Sequence, residues 1–110
     1  MDCLFCQIAR HQQKADVVYE NEELIVFKDI NPEALVHLLI VPKKHIKSIN
    51  ELVEKDKDLV SQIIFLAKEL AEKNGIAEKG YRLIFNVGRG GGQLIDHLHL
   101  HLMGGGEIKL

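Results

Sequence analysis

The chain has 110 residues, with 14 Lys and Arg against 16 Asp and Glu, giving a formal charge of −2. That balance lacks the basic footprint of a nucleic-acid binder, and no apolar run approaches the roughly 20 residues of a membrane-crossing helix. With 46% hydrophobic residues, the expectation is a single domain over residues 1–110, near the usual domain size. So small a domain buries a modest share of its surface, and a second copy or a metal would help to stabilise it. The N-terminus shows no basic region followed by a long apolar run, so the chain reads as cytoplasmic, with Cys3 and Cys6 reduced or metal-bound.

Leu4, Phe5 and Ile8 share one side of a short N-terminal helix, with Asp2 placed to cap it. Val17–Tyr19 and Leu24–Phe27 read as strands of a hairpin around Glu20–Glu23. Asn31-Pro32 turns the chain. Val36–Val41 is a third strand, and Pro42 stops it because proline cannot donate to a ladder. Asp56–Asn74 is the main helix. Leu59, Ile63, Leu66, Ala67 and Leu70 recur there at helical spacing, and Gly75 suits its C-terminal cap. Tyr81–Val87 is a fourth strand, and Gly88–Gly92 leads from it to a histidine strand that starts at His97. Strands outnumber helices without a regular βαβ alternation, which predicts an antiparallel α+β domain.

The chemistry concentrates near the end of the chain. His97, His99 and His101 alternate with Leu98, Leu100 and Leu102 and make up three of the six histidines. On a strand, alternate side chains face opposite ways, so the imidazoles would line one surface while the leucines enter a core. Imidazole is a nucleophile, a metal ligand and an acid or base near neutral pH. Alternation alone does not divide those jobs, and a half-buried strand facing water is the plain alternative.

Gly88-Arg89-Gly90-Gly91-Gly92-Gln93 precedes the histidines. Glycines let a backbone approach a ligand, and successive N–H groups can cradle an anion. The loop lacks the ending of a Walker motif. It suits either a flexible hairpin or a phosphate cradle. Asn86 could aim its amide at a phosphate oxygen or serve a turn. His37 lies in an apolar strand, either as a hydrogen-bonded core residue or as part of a site. Asp29 either accepts from a sugar diol or starts a turn. Cys3-x-x-Cys6 is half of a zinc site or a pair of structural cysteines, and His45 and one end of the histidine row are candidates to complete it.

Taken together, these residues resemble the histidine triad (HIT) family of nucleotide hydrolases and transferases. His97–Met103 fits the family signature of three histidines alternating with apolar residues. Phe27-Lys28-Asp29-Ile30, His37–His45, Asn86-Val87-Gly88 and Gly91-Gly92-Gln93 extend the likeness from Leu4 to Gly105. Leu102–Gly105 is similar to the Hint branch.

The resemblance implies a five-stranded antiparallel sheet with two helices, paired into a homodimer with a continuous sheet. It implies His99 as the nucleophile that forms a nucleotidyl-histidine intermediate, with His101 and His37 orienting groups and moving protons. It implies Asn86 and N–H groups near Gly92 and Gln93 as phosphate holders, and Asp29 as the ribose holder. Leu4, Phe5, Ile8, Phe27, Ile30 and Leu39 would wall the base. Cys3, Cys6, His45 and His97 would hold a structural zinc, with no organic cofactor. The implied activity is hydrolysis of a purine nucleoside phosphoramidate, such as adenosine 5′-phosphoramidate, or of an aminoacyl adenylate, with AMP as product. A non-catalytic, zinc-stabilised nucleotide- or protein-binding module is the alternative, and a metalloenzyme built on the histidine row is a third reading. Two positions depart from the family pattern. Leu94 stands where many Hint-branch members carry serine, and the chain ends at Leu110 without the aromatic tail of some relatives.

Overall fold

The computed structural model describes residues 3–106. The elements are α1 (Leu4–Ala9), β1 (Val17–Glu20), β2 (Leu24–Lys28), β3 (Val36–Pro42), α2 (Lys57–Lys73), β4 (Tyr81–Ile84) and β5 (Leu100–Gly104). The strands form one antiparallel sheet in the order β1-β2-β3-β5-β4. The expected five-stranded antiparallel sheet is therefore present, with one long helix and one short one.

The two faces of the sheet do different work. Leu24, Val26, Leu38, Ile40, Leu100 and Leu102 point to one face and pack against Leu59, Ile63, Leu66 and Leu70 of α2. Each large aliphatic side chain fully buried there contributes about 1.5–3 kcal/mol. Ile25, Phe27, Leu39 and Val41 point to the other face and pack against Phe5 and Ile8 of α1. The period-2 alternation of β2, β3 and β5 thus feeds two cores. The smaller core leaves room for a cleft.

Local chemistry sets the boundaries. Asn21 closes the β1–β2 turn by accepting the N–H groups of Glu23 and Leu24 at 2.9 and 2.8 Å. Asn74 caps α2, and Gly75 follows with φ +71°, a conformation that glycine adopts without cost. The predicted cap of α1, Asp2, lies outside the described residues. Cys3 holds the N-cap position, and its sulfur accepts the Cys6 N–H at 3.4 Å.

Two strand boundaries differ from expectation. β4 stops at Ile84 rather than Val87, because Asn86 turns its amide to the Gly91 carbonyl at 2.8 Å and opens the glycine loop. The histidine strand begins at Leu100, not His97. Upstream of it, the His97 N–H bonds the Ile95 carbonyl at 2.9 Å and the Leu98 N–H bonds the Ile46 carbonyl at 2.7 Å. A local carbonyl and the segment after β3 take these donors in place of a ladder. The alternation persists even so, since Leu98 joins the α2 core and the ring of Phe5 touches those of both His97 and His99.

Candidate active site

A cleft of about 640 Å³ opens on the α1 face of the sheet. Its apolar lining comes from Leu4, Phe5, Ile8, Phe27, Ile30 and Leu39. Its polar lining includes His37, His99, His101, Asp29 and Asn86, with Gly92 beside them. The strand register explains the grouping: Leu39 lies opposite His101 and His37 opposite Met103, so odd-numbered positions of β3 and β5 share this face.

Hydrogen-bond partners fix the protons on the rings. The His97 carbonyl accepts from Nδ1 of His99 at 2.7 Å. Neutral His99 therefore carries its proton on Nδ1 and keeps a lone pair on Nε2. Burial holds the His99 pKa below the ordinary histidine value, against the hydrogen bond to the His97 carbonyl and the charge of Asp29. Near pH 7 the ring is an unprotonated base.

A second chain of bonds orders the neighbouring imidazoles. The Glu33 N–H donates to Nδ1 of His37 at 3.0 Å, so the proton of neutral His37 sits on Nε2. That N–H faces Nδ1 of His101 at 2.9 Å and Oδ2 of Asp29 at 3.3 Å. His101 thus accepts at Nδ1 and carries its own proton on Nε2. Its pKa is lowered to about 4, by burial first and then by its histidine neighbours. The geometry agrees, because a second proton on His101 Nδ1 would meet the N–H of His37. Asp29, His37 and His101 could also be read as a metal cluster, with donor atoms within 4.8 Å of one another. The Glu33 N–H argues against that reading, because it occupies the nitrogen that would have to take the proton if Nε2 bound a metal.

Cys3, Cys6, His45 and His97 form a separate group whose donor atoms all lie within 4.8 Å of one another. Nδ1 of His97 is 3.2 Å from the Cys3 sulfur, 3.5 Å from that of Cys6 and 3.2 Å from Nδ1 of His45. Nδ1 of His45 is 3.3 Å from the Cys6 sulfur. The edges of a tetrahedron with zinc–ligand bonds of 2.0–2.3 Å run about 3.3–3.8 Å. The Pro42 carbonyl fixes the tautomer by accepting from Nε2 of His97 at 2.7 Å, so Nδ1 presents a lone pair to the cluster. Burial lowers the His97 pKa to about 4. Burial, with the Cys3 thiol adjacent, pushes the Cys6 thiol up. A cation among the four donors would reverse that preference. The donor set fits a metal ion.

His97 belongs to the cysteine cluster, as the resemblance implies, while His99 and His101 face the cleft. Gln93 does not reach the cleft and is only 2% exposed. Its Oε1 accepts the Gly88 N–H at 2.9 Å, and its Nε2 donates to the carbonyls of Lys47 and Ile95 at 2.7 and 2.9 Å. The N–H groups of Gly92 and Gln93 close the loop on the Arg89 and Gly88 carbonyls, both at 3.0 Å. The residue pattern identified the loop without saying which way its amides turn. Asp29 plays the turn role, since Oδ1 accepts the Asn31 N–H at 2.8 Å, while its Oδ2 faces His37 at 3.3 Å and the residue lines the cleft. Gln13, Lys14 and Leu94 also line the cleft, although nothing in the sequence pattern marks Gln13 or Lys14.

An α+β sheet that presents two mutually ordered histidines beside a glycine loop, above an apolar cleft, defines a protein of the histidine triad class. Comparison with known proteins agrees. Residues 2–107 match the family described as scavenger mRNA decapping enzyme C-term binding. Protein HitA of Neisseria gonorrhoeae is 40% identical over 103 residues, covering 94% of this chain and 95% of that protein. The purine nucleoside phosphoramidase of Escherichia coli (strain K12) is 39% identical over 104 residues, covering 94% of this chain and 87% of that protein. The crystal structure of a HIT family hydrolase from Legionella pneumophila Philadelphia 1 matches with a TM-score of 0.96 at 49% identity, covering 98% of this chain and 96% of that one. The chain belongs to the histidine triad family.

Proposed function

We propose that the protein hydrolyses purine nucleoside 5′-phosphoramidates or aminoacyl adenylates through a nucleotidyl-histidine intermediate on His99. One observation carries the reading: the 2.7 Å bond from His99 Nδ1 to the His97 carbonyl leaves Nε2 as the bare nitrogen of a ring that lines the cleft. Homology to a purine nucleoside phosphoramidase supports it.

The base lies between the side chains of α1 and β2, the ribose hydroxyls meet Asp29, and the α-phosphoryl group sits over His99. A bond forms between His99 Nε2 and phosphorus as the bond from phosphorus to the leaving group breaks. The His97 carbonyl, held by Nδ1–H, stabilises the positive charge that develops on the ring. His101 directs its Nε2–H at the phosphoryl or leaving group. A bound phosphoryl anion raises the proton affinity of His101, which lets it protonate a departing amine. Water then attacks phosphorus and frees His99. Splitting one substitution into two is the advantage of a covalent route. The Asn86 amide would exchange the Gly91 carbonyl for a phosphate oxygen. Gly92 beside it holds φ +82°, a backbone conformation that suits glycine.

Zinc at Cys3, Cys6, His45 and His97 would act as a structural cross-link. Pairing of two copies along the exposed edge of β4, where Leu83 and the α2 residues Ile64 and Phe65 are exposed, would give the homodimer.

Replacing His99 with Ala should reduce release of AMP from adenosine phosphoramidate by about 10⁴-fold or more, the scale seen when a nucleophile is removed. Mass spectrometry of rapidly quenched wild-type protein should show an AMP adduct on His99. Undiminished turnover in the variant would reject the assignment. Leu94, which puts no hydroxyl in the cleft, favours a second reading as a non-catalytic nucleotide-binding module. That reading predicts AMP binding without turnover.

A further inference from the structure

We propose that Lys14, with Gln13 beside it, reads the edge of the bound base and gives this cleft a preference for 6-oxopurines, guanine above adenine. The inference rests on the proposed binding of a purine nucleotide and adds the identity of the base.

The rest of the nucleotide fixes where the base lies. With phosphorus at His99 and the ribose at Asp29, the base extends along the apolar lining of the cleft, between Phe5 and Ile8 of α1 and Phe27 of β2. Apolar walls sense the faces of a base. Discrimination between bases comes from hydrogen bonds to their edges. The polar groups beside that lining come from the segment between α1 and β1. That segment is held in place, since Ala15 packs on the cluster of Phe5, Ile8 and Phe27. The Lys28 N–H also bonds the Asp16 carbonyl at 3.0 Å, fixing the segment beside the end of β2 and so beside Asp29. Gln13 and Lys14 both line the cleft.

Charge decides the direction of the preference. Lys28, the neighbouring cation of the cleft, lies 3.6 Å from Asp16, whereas no acid among the described residues pairs with Lys14. An ammonium group only donates. Guanine presents two acceptors, O6 and N7, on the edge away from the sugar, where adenine presents N7 beside an amino donor. Lys14 therefore gains a bond with guanine and meets a repelling N–H with adenine. The Gln13 amide carbonyl is free to accept from guanine N1–H. Lys14 is exposed, so the effect belongs at the low end for a base-edge contact, about fivefold.

The test compares GMP, IMP and AMP as ligands of the full chain by calorimetry, and the matching phosphoramidates as substrates. GMP is expected to bind about fivefold more tightly than AMP, at the low end for one edge contact. IMP, which keeps O6 and N7 without the 2-amino group, should follow GMP. Lys14→Met should bring the GMP-to-AMP ratio close to one, Lys14→Arg should preserve it, and the change should appear in KM more than in kcat. Equal binding of GMP and AMP would overturn the inference, as would a ratio unchanged in Lys14→Met or IMP following AMP. A Lys14-dependent preference in binding without turnover of any phosphoramidate would uphold the inference while rejecting the catalytic proposal.

Discussion

His101 shows how a single side chain acquires a function its type does not specify. Burial and the surrounding imidazoles lower its pKa to about 4, while the unfolded chain binds a proton near the ordinary value of 6.5. Between these values the unfolded state holds a proton that the folded state refuses. The stability contributed by neutral His101 is complete above about pH 6.5 and is drained as pH falls toward 4. Denaturant midpoints measured at pH 7.5, 6 and 5 should fall steadily, and His101→Asn, which cannot titrate, should fall less. Parallel slopes in the two proteins would remove His101 as the source. Gln93 carries the opposite lesson. The family resemblance implies backbone N–H groups near it as phosphate holders, yet its own N–H bonds the Gly88 carbonyl and its side-chain amide spans the loop. Gln93→Ala should lower stability by about 2 kcal/mol through the buried partners it leaves unpaired, measured by thermal denaturation. Residue type and spacing revealed the alternating histidines, whose period-2 pattern survives even where the strand does not. They could not reveal Gln93, because an amide offers donors and an acceptor in any direction.

At the scale of elements, what was legible followed from periodicity and what was not followed from competition for hydrogen bonds. α2 repeats its apolar residues through four turns, and no other structure buries Leu59, Ile63, Leu66 and Leu70 together. The apolar pattern of β4 and β5 runs on past the ladder, so it overstates both strands. Leu98 is as apolar as Leu100, but its N–H goes to Ile46. The end of β5 imposes a stricter demand. Gly104 sits opposite both Tyr81 and Val36, where a Cβ would fall 2.6 Å from Cδ1 of Ile76, 3.2 Å from its Cβ and 3.2 Å from Cβ of Tyr81. Ile76 is buried in the α2 core and has little room to withdraw. Gly104→Ala should therefore cost about 1–3 kcal/mol through overpacking, visible as a lower urea midpoint with an unchanged slope. A midpoint equal to wild type would show that the α2–β4 connection moves freely, and that β5 owes its end to something other than the space at Gly104.

At the scale of the molecule, the cysteine cluster joins parts far apart in sequence. Cys3 and Cys6 come from the N-cap and first turn of α1, His45 from the segment after β3, and His97 from the approach to β5. The half-site was legible as Cys-x-x-Cys, and His45 and one end of the histidine row were its candidate partners; that they meet it depends on how the sheet brings residues 45 and 97 together. α1 also supplies Phe5 and Ile8 to the cleft wall. An ion held by the four donors would tie this short helix to the sheet and keep one wall of the cleft in place. An ion that binds only the folded chain adds about 2.7 kcal/mol at a hundredfold excess over its Kd. Each 1 kcal/mol moves the Tm of a domain near this size by about 4–8 °C. Chelation of zinc-loaded protein should accordingly lower Tm by roughly 10–20 °C on those scales. It should also raise KM for a nucleotide substrate more than it lowers kcat, because the cluster would support the wall while the proposed attack by His99 needs no metal. A Cys3→Ser, Cys6→Ser double variant should behave like chelated wild type and respond no further to chelator. Loss of kcat with an unchanged KM would instead place the metal in the chemical step and reverse the division of labour between His97 and His99.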